Sequence, residues 1–268
     1  MRPKRNINRS RKRSGPTPQD RHAPSFGAGA TGRNLRTVRR LGRKKRGWFW
    51  RWTWRLVIFV CLLSSLPMLA LRVYDPPTSS FIVLNKMNKN TNIKHEWLDM
   101  SQISLYFPNA VIASEDQQFP NHFGFDIKQI RLVLEQRKKG QTRGASTITQ
   151  QTIKNLFLWP ERSFVRKGIE AWLAVWMELI VPKKRILELY VNFAQFGKSV
   201  FGVGAASKYY FGIPASQLSA KQSALIAASL PTPSRSNPAK PSKYLQERAA
   251  YIEDQMPRVG GRRMVEEL

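Results

Sequence analysis

The sequence predicts a mainly α-helical domain preceded by a single transmembrane helix. Three observations carry this. Leu56 to Leu71 run for sixteen residues without a charge. From about residue 108 onward, apolar residues recur at helical spacing. Thr147-x-x-Gln150 and Ser219-x-x-Gln222 have the form of capping boxes that open helices. Composition agrees: apolar residues make up 42% of the 268 and charged residues 23%, which suits a chain with a core and excludes full disorder.

The formal charge is +28, and it is unevenly placed. Residues 1–55 hold 18 Lys and Arg against one acid, Asp20. Residues 1–47 are also rich in Gly, Pro, Ser and Asn and show no long apolar period, so they are expected to be a disordered basic tail. Such tails bind nucleic acid, bind anionic membranes, or are simply solvated and set orientation.

The next segment, 48–72, decides among these as a membrane anchor. A sixteen-residue helix spans about 24 Å, short of a hydrocarbon core of about 30 Å. Its flanks close the gap. Trp48, Trp50, Trp52 and Trp54 form an aromatic belt, and Arg51 and Arg55 can snorkel to head groups. Counting from Trp52 gives twenty residues, with Pro67 tolerable as a kink. A buried helix of a soluble domain fits four tryptophans beside a basic run poorly. A cleaved signal peptide would have a shorter basic region and an A-x-A site. Only Arg72, Lys86 and Lys89 follow within about twenty residues of the span, so the positive-inside rule puts the N-terminus in the cytoplasm. Residues 73–268 then lie across the membrane, away from nucleic acid.

Asp75-Pro76-Pro77 breaks the chain after the anchor, and Ser80 to Leu84 reads as a short strand. Ile169, Trp172, Leu173, Trp176 and Ile180 form one stripe of a helix from about Phe164 to Ile180, a stripe expected to serve the core; Pro182 ends that helix. Ile186, Leu187, Tyr190 and Val191 mark another. The single cysteine, Cys61, excludes an intrachain disulfide and a Cys-based zinc site. His22, His95 and His122 share no metal-pair spacing.

Candidate chemistry lies in four polar clusters. Glu115-Asp116 follows the apolar run 110–113, with His122 and Asp126 beyond; it is either a helix-end charge pair or a carboxylate at the edge of a core, suited to general-base work. Gly144 to Gln151, then Lys154 and Asn155, read as a capped helix start whose backbone N–H groups could hold an oxyanion, without Walker spacing. Arg162, Arg166, Lys167 and Glu170 give a surface salt bridge or a second site carboxylate among cations. Lys183 to Glu188 leads to Asn192 and Gly197. Several carboxylates and cations without a nucleophile–histidine set point to sugar chemistry with a phosphate leaving group.

Five ordered segments, 115–126, 144–160, 166–170, 183–197 and 231–238, resemble the motifs of the bacterial peptidoglycan glycosyltransferase family, and within it the monofunctional transglycosylases. The resemblance covers about residues 75–255. It implies a lysozyme-like, two-lobed glycosyltransferase domain that dips partly into the bilayer. It also implies polymerisation of lipid II into β-1,4 glycan strands, inverting, with release of undecaprenyl pyrophosphate. On that resemblance Glu115 matches the catalytic base and Glu170 the second essential carboxylate. Lys154 and Arg162 match cations on the leaving pyrophosphate, beside Arg166. Ser146, Thr147, Gln150, Gln151 and Asn155 match polar lining, and Glu188 and Asn192 are read as structural. No cofactor is obligatory in this reading, and a divalent cation, Mg or Mn, is allowed. Lipid II, the growing chain, membrane lipid and other cell-wall synthesis or division proteins are the expected partners, and the inner membrane with a periplasmic domain is the expected place. Ala145 and Gln195 depart from the family's usual residues, and the chain has no Ser-x-x-Lys of a transpeptidase. Segment 127–143 is expected to be a lipid-touching flap. The alternatives are a lysozyme-like hydrolase or lytic enzyme and a non-catalytic cell-wall scaffold.

Overall fold

The computed structural model describes residues 34–89, 92–138 and 144–268. The basic tail up to residue 33 and positions 139–143 of the expected flap lie outside the described residues. The chain forms two compact units, one ending at Arg55 and the other spanning Leu56–Leu268.

Helix α1 (Asn34–Val73) contains the anchor. Its stretch Gly47–Val73 is long and apolar enough to cross a membrane. Residues 34–46, expected to be unstructured, are helical. Leu, Arg and Lys are good helix formers, and extending an existing helix costs far less than nucleating one. In the first unit Trp48 and Trp52 meet edge to face, and Arg55 lies 5.2 Å from the Trp52 ring centre.

In the second unit, α2 (Ser80–Lys89) replaces the expected strand. The backbone N–H of Ile82 donates to Ser79 Oγ (3.3 Å) and that of Val83 to the Ser79 carbonyl (3.0 Å). Capping by Ser79 and docking of the helix on α5 (Ile148–Phe157) outweigh β propensity here. After β1 (Lys94–His95), α3 (Tyr106–Glu115) carries Phe107, Ala110, Val111 and Ile112, all fully buried. A helix apolar on all sides belongs in the centre, and α3 sits there. It packs on α9 (Ala220–Ala228), α10 (Lys243–Arg258) and α11 (Gly261–Glu267), and on α7 (Lys183–Phe193). A second group gathers around α5, which packs on α2, α6 (Phe164–Ile180) and α7. Helix α4 (Ile127–Lys138) forms the described part of the expected flap, with Ile127, Leu132 and Leu134 exposed. Strand β2 (Val200–Phe201) pairs in parallel with β1, Lys94 opposite Val200, and α8 (Val203–Phe211) follows it. Gly202, at φ +78°, makes that turn; a Cβ there would lie 2.6 Å from the Asn192 carbonyl.

Both capping boxes form. The Thr147 and Ser219 side chains accept from the backbone N–H groups of Gln150 and Gln222. Helix α6 has the expected bounds, but its buried face is Arg166, Glu170, Ala174 and Met177. The stripe assigned to the core divides: Leu173, Trp176 and Ile180 are half-buried and pack against the core, whereas Ile169 and Trp172 are exposed. The reason is α1. Trp172 Nε1 donates to Ser64 Oγ (2.9 Å), and Arg72 donates to the Ile180 carbonyl (3.1 Å). Arg185 of α7 reaches the Leu71 and Tyr74 carbonyls (2.9 and 2.8 Å) and Asp75 Oδ1 (2.6 Å).

Candidate active site

Glu115 is the last residue of buried α3, so its side chain emerges at the edge of the core with 15% exposure. Gln151 Nε2, from α5, donates to Glu115 Oε2 at 2.9 Å. Ser114 Oγ donates to Oε1 at 3.2 Å. Arg248, from α10, donates to Ser114 Oγ at 3.3 Å and stands 3.9 Å from Oε1. The carboxylate therefore has one oxygen tied by a short bond and one more loosely held.

The neighbouring acid does different work. Asp116 is buried and accepts from His122 Nε2 at 2.9 and 3.0 Å and from the Ile148 backbone N–H at 3.0 Å. Ile148 is the first residue of α5. The helix start expected to seat an oxyanion is thus already occupied by the protein's own carboxylate, which satisfies an orphan N–H and the positive end of the helix dipole.

Lys154 lies further along α5, with its ammonium 5.4 Å from the Phe81 ring centre. Burial pulls its pKa below the ordinary lysine value; Glu170 opposes that shift, Arg166 adds to it, Glu115 opposes it more weakly and Lys167 adds the least. Lys154 is thus within electrostatic reach of both carboxylates. Glu170, on the inner face of α6, is 3% exposed in its side chain. It accepts from Arg166 Nη1 at 2.6 Å and from Lys167 Nζ. Arg166 also donates through Nε to the Glu161 carbonyl (2.9 Å). Of the two readings of this group, a surface salt bridge or a carboxylate set among cations, the buried Arg166–Glu170 pair fits the second. Lys167 Nζ spans back to Ser146 Oγ (3.1 Å), joining α6 to the loop before α5.

Not every expected site residue faces this group. Thr147 and Gln150 are buried and satisfy each other in the capping box, and Thr147 Oγ1 donates to the Gly124 carbonyl (2.7 Å). Asn155 is buried on α5. Arg162 is exposed between α5 and α6, and the structure pairs it with neither carboxylate among the described residues. Glu188 accepts from the Met100 backbone N–H (2.8 Å), and Asn192 bonds both backbone groups of Leu98, so these two brace α7.

Arg248 was missed. Its only sequence signal is a cation bordering the apolar stripe Leu245, Ala249, Ile252 and Met256 of α10. Among the described residues, no three His, Cys, Asp or Glu side chains gather as metal ligands. Surface cavities of about 350 and 480 Å³ lie elsewhere, around Tyr209 and around Arg262.

The Transglycosylase family model matches residues 82–257. The chain is 46% identical over 225 residues to a biosynthetic peptidoglycan transglycosylase of Marinomonas sp. (strain MWYL1), covering 82% of this chain and 96% of that one. It is 47% identical to a protein of the same name from Shewanella frigidimarina (strain NCIMB 400), covering 81% and 94%. To one from Xanthomonas campestris pv. campestris (strain B100) it is 42% identical, covering 79% and 89%.

Proposed function

This chain belongs to the transglycosylase family, and from that premise we propose that it polymerises lipid II into β-1,4-linked glycan, with Glu115 as the base. The supporting observation is the pairing of a partly shielded, loosely held Glu115 oxygen with a nearby fixed set of cations. The acceptor's 4-hydroxyl gives its proton to Glu115 Oε1. Its oxygen forms the new bond to the donor sugar's anomeric carbon while the bond to pyrophosphate breaks, so the configuration inverts. The electron pair leaves with the diphosphate. Lys154, Arg166 and Lys167 supply positive charge for it, so no protonated acid is required at the leaving oxygen. A glycosidase would need a second, protonated carboxyl across the scissile bond. Glu170, locked between two cations, cannot readily serve as one.

In this reading Glu170 orients Arg166 and Lys167 rather than meeting substrate. Both its oxygens are taken, so the donor set does not fit a resident divalent cation. Helix α1 anchors the enzyme in the inner membrane with its basic end cytoplasmic and the catalytic domain periplasmic. The exposed apolar face of α6, with Phe164, Val165 and Leu179, rests against lipid. Glu115→Gln tests the base. Purified variant and parent are incubated with lipid II in detergent, and the variant should polymerise at least about 100-fold more slowly with an unchanged melting temperature. Turnover within a few-fold of the parent would remove Glu115 from the mechanism. Shortening of preformed glycan by the parent, without polymer growth, would favour the hydrolase instead.

A further inference from the structure

We propose that Tyr190 is a positioning residue that sets which way the Gln151 amide faces and thereby holds Glu115 in place. This rests on the reading of Glu115 as the base.

Gln151 sits among three groups. Its Nε2 lies 2.9 Å from Glu115 Oε2 and 3.4 Å from the Ser146 carbonyl. An ionised carboxylate and a carbonyl only accept, so the amide must present its NH2 to them. Its Oε1 then needs a donor. The Tyr190 hydroxyl supplies one at 3.2 Å. Tyr190 is 1% exposed, so its proton has no water to go to instead.

The reversed amide is much worse. It would set Oε1 against the Glu115 carboxylate and the Ser146 carbonyl, three acceptors with no proton among them. The phenol stays a donor across the working range, because burial, and then Glu115 and Asp116, hold its pKa well above the ordinary tyrosine value. The other charged groups around Glu115 come from other directions. Arg248 of α10 lies beyond Oε1, Lys154 interacts from α5, and Asp116 is turned to His122 and the start of α5.

The consequence is a one-sided grip. Oε2 is pinned through Gln151, and Oε1 is left to receive the proton. Both polar atoms of the Gln151 side chain are committed within the protein, so it acts as a brace rather than as substrate lining. The signal was present in the sequence as a buried tyrosine on the apolar stripe of α7, where a phenylalanine would pack as well and the hydroxyl has no packing purpose.

The test is a double-mutant cycle on the full chain in detergent, with lipid II as substrate. Tyr190→Phe should lower kcat about 10-fold, with KM within two-fold of the parent, because the ring still packs and only the orientation is lost. Gln151→Ala should lower kcat at least as much. Tyr190→Phe added to Gln151→Ala should then change nothing further. A parental rate for Tyr190→Phe, or losses that multiply in the double variant, would overturn the proposal. If Tyr190→Phe fails to fold, Gln151→Ala at its half-buried position decides alone, and a parental rate there refutes the brace. Glu115→Gln separates the two ideas. Retained turnover in that variant sinks the base assignment, whereas a dead Glu115→Gln beside a fully active Tyr190→Phe sinks only the lock.

Discussion

Helices α6 and α10 have the same period and opposite polarity. Helix α10 turns Leu245, Ala249, Ile252 and Met256 inward and leaves Lys243, Glu247, Glu253 and Asp254 exposed. Helix α6 buries Arg166 and Glu170 beside Ala174 and Met177, and leaves Phe164 98%, Val165 71% and Leu179 61% exposed. The first is built for water. The second carries its charge inward, where it is paired, and its grease outward, where water would penalise it. Amphipathicity therefore says that a helix has two sides; what lies beyond each side must come from elsewhere.

Four substitutions test this contrast. The largest effect should come from Glu170→Ala. Arg166 would be left buried without its partner, at a cost of about 3–5 kcal/mol, and polymerisation should be lost with it. Denaturant unfolding in detergent measures this, and a loss near zero would mean that the inward charge of α6 is incidental. Next comes a matched pair. Ile252→Ala on α10 should cost about 2–5 kcal/mol, because it opens a cavity in a packed core. Leu179→Ala on α6 should cost less than about 1 kcal/mol in the same assay, since little protein surrounds that side chain. Leu179→Lys should nevertheless weaken co-sedimentation with anionic vesicles, and equal stability losses for the two alanine variants would erase the contrast.

The smallest effect lies outside both helices and provides a baseline. His95 is stacked on Phe193, and its Nε2–H donates to the Asn192 carbonyl (3.1 Å). Burial pulls its pKa below the ordinary histidine value, against the opposing effects of the Asn192 bond and Glu96. The folded state thus binds its proton more weakly than the unfolded one. Its contribution is complete above the unfolded value of about 6.5 and is lost as pH falls from there through the folded value. The melting temperature should drop over that window, and His95→Gln should flatten the drop; an unchanged pH dependence would contradict the assignment.

Much of this was legible in the chain. The bounds of α6 follow from its stripe and Pro182, and the openings of α5 and α9 from hydroxyl and amide residues three apart. What could not be read were choices between equivalent surroundings. The stripe Ile169, Trp172, Leu173, Trp176 and Ile180 fits a protein interior, a neighbouring anchor or lipid equally well, since all three exclude water. Ser80 to Leu84 is too short for periodicity to separate strand from helix. The anion seat at α5 was plausible until Asp116, thirty-two positions earlier, was found in it. Arg248 belongs to no local pattern because only the packing of α10 on α3 brings it to Glu115.

The guanidinium of Arg185 has a mechanical meaning. It grips the carbonyls of Leu71 and Tyr74 and the carboxylate of Asp75, just where a loose leash would be expected. A leash lets its load wander by a distance that grows with the root of its length. A clamped stalk holds its load at a set altitude. The helices around Glu115 are thereby held at one distance from the end of α1.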